Sequence, residues 1–350
     1  MRIDIERLMA KLARLGNMGQ GCRLVVLASS ASTNDAVIDQ ARAYGQVPTQ
    51  PLIVISERQT AGRGRLGRSW ASPAGGLYMS VMLRVDAGAL GPAAGVESAA
   101  GVEPAAGVEP AARMDPAASV GPAAGVDPAA ALGSLSPLVA LALREALQGF
   151  TTQEIRLKWP NDLLTPGGKL AGILIEVKQA ATLFPKREGD GKEQLVIIGM
   201  GINVARPGEG GWEAAAYLDD VVARPDEADD VDDGAALTDA PAEPDEPHKP
   251  AEPAEPPGSP LLEDVAGAVI GALLRRYAAW QQAGGSFASY VLEYEAHMAQ
   301  LGQEVCVCNA LGGVIARGVA TGIDHRGQLL LQNGPDTICV AAGEITLRHS

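Results

Sequence analysis

The sequence predicts an α+β fold followed by a small all-β unit, on three observations. Short apolar runs at residues 51–56, 77–85 and 195–204 are rich in Ile, Val, Leu and Met and bounded by Gly, Pro or Ser, so they read as buried strands. Helical periodicity lies between and after them, most strongly at residues 261–282. From Gln303 onward the pattern changes to short alternating stretches separated by Gly312-Gly313, Arg326-Gly327 and Asn333-Gly334, the punctuation of hairpins.

Taken in order, residues 1–20 place Ile5, Leu8, Met9, Leu12 and Leu15 on one helical face and Arg7, Lys11 and Arg14 off it, which predicts one amphipathic helix. The segment has no uninterrupted apolar core and contains Asp4 and Glu6, so neither a secretory signal nor a transit peptide is expected, and a cytoplasmic location is. Residues 23–28 form an apolar strand. Ser29, Ser32, Thr33 and Asn34 then supply the hydroxyls and amide of a helix N-cap before residues 36–43. Ser136-Pro137 starts another helix, with Leu138, Leu141, Ala142 and Leu147 as its apolar positions and Gly149 as its stop. Residues 154–157 and 168–176 read as strands, and residues 287–299 as a further helix after 261–282.

Two tracts break this pattern. Residues 92–133 are seven hexads of the form (P/S)-A-A-x-x-x, whose recurrent proline and lack of a regular large apolar position argue for an extended linker rather than a β-helix. Residues 219–257 are an acidic Pro/Ala/Glu segment that cannot bury enough apolar surface to offset its ordering entropy. They carry −4 and −12 of the total charge of −14, leaving the rest of the chain at +2. Bulk charge therefore points to neither nucleic acid nor membrane, and an anion site must be local. Cys22, Cys306, Cys308 and Cys339 have no metal-binding spacing and the four histidines are scattered, so no metal site is expected from the sequence.

The local cation cluster is in residues 59–70, QTAGRGRLGRSW. They follow the strand at 51–56. Gly62, Gly64 and Gly67 let the backbone approach a ligand closely, and Arg63, Arg65 and Arg68 put three guanidinium groups into the same turn, which suits phosphate or carboxylate. Residues 158–162, KWPND, and 168–176, GKLAGILIE, each set polar groups beside a strand in the same manner. With Ser32-Thr33-Asn34 upstream, these motifs, in this order, resemble the catalytic domain of the biotin protein ligases. The likeness runs from about Gly21 to the C-terminus apart from the two tracts. Gln59-Thr60 departs from the two glutamines common in the family, but Gln59 keeps its place.

The resemblance implies a mixed-sheet biotin/lipoate ligase domain at residues 21–302, interrupted at 92–133 and 219–257. An N-terminal helix at 1–20 would precede it and an SH3-like β-barrel at 303–350 would follow. It implies the short, ligase-only form, without the DNA-binding module that some members carry, as a monomer or homodimer. The implied reaction joins biotin to ATP as biotinyl-5′-AMP and passes the biotinyl group to a lysine of a biotin carboxyl carrier protein, with Mg²⁺ accompanying the nucleotide. Ser32, Thr33, Asn34 and Gln59 would hold biotin, whose cyclic urea needs every polar group paired once buried. Arg63, Gly64, Arg65 and Lys169 would hold the reacting phosphoryl and acyl groups, and Asn161 and Asn203 the adenine. Trp70 would stack on the base, although a core tryptophan is an equal reading. Asp162 would orient or deprotonate the acceptor amine, although an Asx turn after Pro160 accounts for it equally. A lipoate or octanoate ligase of the same fold and a non-catalytic biotin-binding regulator remain as alternatives.

Overall fold

A computed structural model describes residues 3–14, 21–86, 132–184, 193–207, 215–220 and 261–347. The expected linker tracts 92–133 and 219–257 lie outside the described residues except at their ends. Leu132 and Gly133 lead into a helix, and Asp219 and Asp220 receive hydrogen bonds from Arg206.

The apolar runs become strands of one seven-stranded mixed sheet: β1 (Arg23–Leu27), β2 (Leu52–Ser56), β3 (Leu77–Asp86), β4 (Arg156–Lys158), β5 (Asp162–Thr165), β6 (Gly168–Gln179) and β7 (Glu193–Ile202). Their order across the sheet is β1-β2-β3-β7-β6-β5-β4. Only β1 and β2 are parallel, as their connection through a crossover helix requires; the remaining pairs are antiparallel.

The alternation of side chains along each strand divides the sheet into two unlike faces. On one, Ile53, Ile55, Met79, Val81, Ile198, Met200 and Ile202 join the main core. That core is closed by α1 (Ile5–Arg14), α3 (Leu135–Gln148) and α5 (Leu262–Gln282). Each such side chain, fully removed from water, contributes roughly 1.5–3 kcal/mol before entropy is counted. On the other face, Leu52, Val54, Met82, Leu195 and Ile197 pack against Val37 and Ala41 of α2 (Thr33–Ala43), with Ala180 and Phe184 around the short α4 (Ala180–Leu183). Further along this second face the register aligns Tyr78, Gly201 and Gly172 in one row and Ser80, Gly199 and Leu174 in the next. Small residues there leave a hollow beside α2.

The C-terminal strands β8 (Glu304–Cys308), β9 (Val314–Ile323), β10 (Leu329–Asn333), β11 (Asp336–Val340) and β12 (Glu344–Leu347) form an antiparallel sheet in the order β11-β10-β9-β8-β12. The turn glycines expected from the sequence sit at positive φ, 80° at Gly312, 75° at Gly327 and 60° at Gly334. Among the described residues β11 and β12 do not pair, so this unit is an open sheet and not a closed barrel. Trp159 Nε1 donates to the Gly327 carbonyl at 3.0 Å and fastens the small sheet to the large one.

Several boundaries differ from expectation for identifiable reasons. Of the apolar face expected for α1 only Leu8 and Leu12 are buried, while Ile5 and Met9 are half exposed and Leu15 lies outside the described residues. The contact is narrow because Lys11 crosses α5 at Gly267 and ion-pairs with Asp264. Helix α2 starts at Thr33, three residues early, and Ser32 makes no side-chain cap bond. The expected helix 287–299 is a 3₁₀ turn at Ala288–Tyr290 and a six-residue α6, Val291–Ala296. It ends there because the chain next pairs with β4: Leu157 N–H donates to the His297 carbonyl and Ala299 N–H to the Leu157 carbonyl, both at 2.8 Å.

Candidate functional site

The glycine-floored hollow on the second face is walled by the start of α2, the loop after β2, the β4–β5 turn and the start of β12. Ser32, Thr33, Asn34, Gln59, Arg63, Gly64, Arg65, Trp70, Asn161, Asp162 and Lys169 all line it, although they come from four separate stretches of sequence. Of the expected site residues only Asn203 is not in the wall. Its amide donates to the Lys169 carbonyl at 3.1 Å, which gives it a supporting place behind the lysine.

One wall is a buried hydrogen-bond chain. Gln59 Oε1 accepts from the Thr33 backbone N–H at 2.8 Å, and Gln59 Nε2 donates to Ser72 Oγ at 2.8 Å. Ser80 Oγ lies 2.7 Å from Thr33 Oγ1 and 2.6 Å from Asn34 Oδ1, and Asn34 Nδ2 donates to Glu176 Oε2 at 2.8 Å. These contacts draw the hydroxyl and amide of α2 inward, which is why they do not cap the helix. Buried polar groups of this kind are held only when paired, since an unpaired one costs about 1–3 kcal/mol.

Beside it the lining is cationic. Arg63 reaches Asp35 at 2.8 Å and Glu176 at 3.1 Å; Arg65 donates to Asn161 Oδ1 at 3.2 Å and the Gly343 carbonyl at 3.3 Å; Arg68 ion-pairs with Glu344. Burial pushes the Arg65 guanidinium pKa down, and the carboxylates of Glu344 and Asp162 oppose that shift. The loop itself is pinched shut. Trp70 N–H donates to the Gly62 carbonyl at 2.8 Å, and a Cβ at Gly62 would lie 2.4 Å from the Trp70 carbonyl oxygen, so this position admits only glycine. Leu66, at φ 56°, takes the left-handed turn next to Gly67.

Between the walls lie Trp70 and Lys169. The indole rests on Gly201 and Gly172, where a Cβ would come within 2.6 and 3.0 Å of the ring. Lys169 Nζ is 5.0 Å from the Trp70 ring centroid and 2.8 Å from Asp162 Oδ1. The Asp162 carboxylate is therefore ion-paired with Lys169. The arrangement sets a polar slot beside converging cations, a match for a polar ring carrying or meeting an anionic group.

Glu176, Ser80, Ser72, Glu344 and the floor glycines were not among the residues expected. The alternate glycines of G-M-G at 199–201 carried a signal: two glycines of one parity inside a strand clear a patch on one face. Among the described residues no cluster of metal-ligating side chains occurs, and no helix is long and apolar enough to cross a membrane.

The sequence model of the biotin/lipoate A/B protein ligase family matches residues 26–106 and 122–203. The chain is 30% identical over 336 residues to the biotin–[acetyl-CoA-carboxylase] ligase of Mycobacterium tuberculosis, covering 93% of this chain and 90% of that one. It is 31% identical over 192 residues to the bifunctional ligase/repressor BirA of Escherichia coli, 55% of this chain and 43% of the relative. In fold it resembles a biotin protein ligase from Aquifex aeolicus solved with biotin and ATP, with a TM-score of 0.59 at 20% identity over 94% of this chain and 99% of that one. A relative matched along nearly its whole length, with the motif residues gathered in one hollow, makes this chain a member of the biotin/lipoate protein ligase family.

Proposed function

We propose that the protein is an ATP-dependent biotin protein ligase. The biotin carboxylate attacks the α-phosphorus of ATP, the bond to the β-phosphate oxygen breaks, and pyrophosphate leaves; a lysine amine of a biotin carboxyl carrier protein then attacks the mixed anhydride and AMP leaves. The observation that carries this reading is the single hollow in which the chain Gln59–Thr33–Ser80–Asn34 adjoins Arg63, Arg65 and Lys169 over a floor of glycine. The first group suits a cyclic urea. The second suits a phosphoryl group whose charge spreads in the transition state, where preorganised donors have most effect. Asn161 and Trp70 are assigned to the adenine side, with Asn203 supporting Lys169 from behind. Both carboxylates of the wall, Asp162 and Glu344, are already ion-paired, so the Mg²⁺ expected with the nucleotide is assigned to phosphate and water ligands. The C-terminal sheet is assigned to the SH3-like unit of the family.

The test is incubation with ATP, Mg²⁺ and either biotin or lipoate, followed by an apo carrier domain. Mass spectrometry should find the biotinyl adduct on one lysine; a lipoyl adduct alone would reassign the substrate.

The loop should also gate the reaction. Its clamps are largely solvent-exposed ion pairs, with Arg63 and Asp35 42% and 47% exposed, and such pairs contribute only about 0–1 kcal/mol each. A bound phosphate can therefore capture these arginines. Amide hydrogen exchange across residues 62–67 should slow when biotin and ATP are both present, and unchanged exchange would count against gating.

Residues 92–133 and 219–257 are proposed to be dispensable for ligation. Lengthening a loop from a few residues to nearly fifty costs only about 2 kcal/mol. Replacing residues 92–131 and 221–257 by short Gly/Ser linkers should preserve biotin transfer. Loss of transfer with adenylate formation retained would mark them as elements that bind the acceptor.

A further inference from the structure

We infer that Glu176 is a positioning residue that fixes the orientation of the Asn34 amide and tethers Arg63 of the glycine loop, so that one carboxylate oxygen holds a group of each kind; the inference rests on the biotin-ligase reading. The geometry leaves little choice. Asn34 is 2% exposed, and its amide could present either oxygen or nitrogen to the slot with almost no change in shape. Its partners decide. Glu176 Oε2, at 2.8 Å, is an acceptor only, so the nitrogen must face it. Asn34 Oδ1 must then accept from the Ser80 hydroxyl at 2.6 Å, and the same hydroxyl lies 2.7 Å from Thr33 Oγ1, which itself donates to Gln59 Oε1 at 3.2 Å. From Ser80 through Asn34 the protons thus run toward the carboxylate. One Nδ2 proton goes to Glu176, and in this inference the second serves a carbonyl bound in the slot.

The same Oε2 accepts from Arg63 Nη2 at 3.1 Å, while Lys178 lies 3.5 Å from Oε1. Asp35 is the second holder of Arg63. Glu176 sits on β6, on the side of the sheet that carries Gly172 and Leu174, and reaches Asn34 over Gly199, whose missing side chain gives the amide its room. A half-buried carboxylate in the otherwise apolar run 170–177 costs desolvation, which these three partners offset.

The experiment compares the parent protein with Glu176→Ala and Glu176→Gln, measuring biotin Kd by calorimetry without ATP and pyrophosphate release with saturating ATP and biotin. Glu176→Ala frees the amide to turn and should weaken biotin about tenfold or more, the usual consequence of losing a charge-assisted hydrogen bond. Glu176→Gln keeps an oxygen for Asn34 but no charge for Arg63. Its biotin Kd should stay within about twofold of the parent while kcat for adenylation falls several-fold, a split that a merely structural role would not give. An unchanged biotin Kd in Glu176→Ala would overturn the inference. So would a Glu176→Gln variant with both constants unchanged, a result that does not need the alanine variant to fold. If the parent itself releases no pyrophosphate with biotin, the ligase reading fails instead.

Discussion

Lys169→Ala is expected to lower biotinyl-adenylate formation by about 10²- to 10³-fold, the range seen when one preorganised donor is removed from a developing charge. The structure separates this effect from stability. The Lys169 backbone is held independently of its side chain, since its carbonyl accepts from Ala216 N–H at 3.0 Å and from Asn203 Nδ2 at 3.1 Å. The side chain is 34% exposed, and its ion pair with Asp162 is of a class that contributes about 1 kcal/mol or less. The melting midpoint should therefore move little while the rate collapses. Pyrophosphate release at saturating biotin and ATP is the measurement, alongside a thermal melt. A rate within threefold of the parent would remove Lys169 from the chemistry.

Gly199→Ala is expected to weaken biotin binding by about two orders of magnitude. The added Cβ would lie 2.3 Å from Asn34 Oδ1 and 3.0 Å from Cγ, closer than atoms can approach. Asn34 cannot yield without loss, because Ser80 and Glu176 hold its two ends. Displacing it breaks two buried hydrogen bonds at about 1–1.5 kcal/mol each, and overpacking should cost the fold about 1–3 kcal/mol. The control is Gly149→Ala at the end of α3, where the new methyl meets nothing nearer than 3.6 Å. Calorimetry should find biotin affinity unchanged in that variant, and equal affinities in both would show that the floor glycine is not required.

Local pattern carried much of this in the sequence. Runs such as residues 51–56 and 195–204 named their strands, and the glycine and arginine spacing of residues 59–70 named the cationic wall. What pattern could not carry was pairing at a distance. Asn34 and Glu176 are 142 residues apart, and nothing local to an apolar strand marks its one acid as a partner of a helix start. The same limit explains the start of α2: cap propensity placed the hydroxyls outside the helix, and tertiary hydrogen bonds took them inside. Whether five short strands close on themselves likewise depends on non-local pairing, which is why the C-terminal unit reads as a barrel in sequence and is an open sheet in the structure.

The bond from Arg65 to the Gly343 carbonyl joins residues 278 positions apart, and Arg68 to Glu344 spans nearly as far. Synthesis is vectorial, so a growing chain has made both arginines long before the residues that steady them leave the ribosome. Until then Arg65 has only its Asn161 acceptor and Arg68 lacks its carboxylate, so the C-terminal sheet is what completes this wall of the hollow.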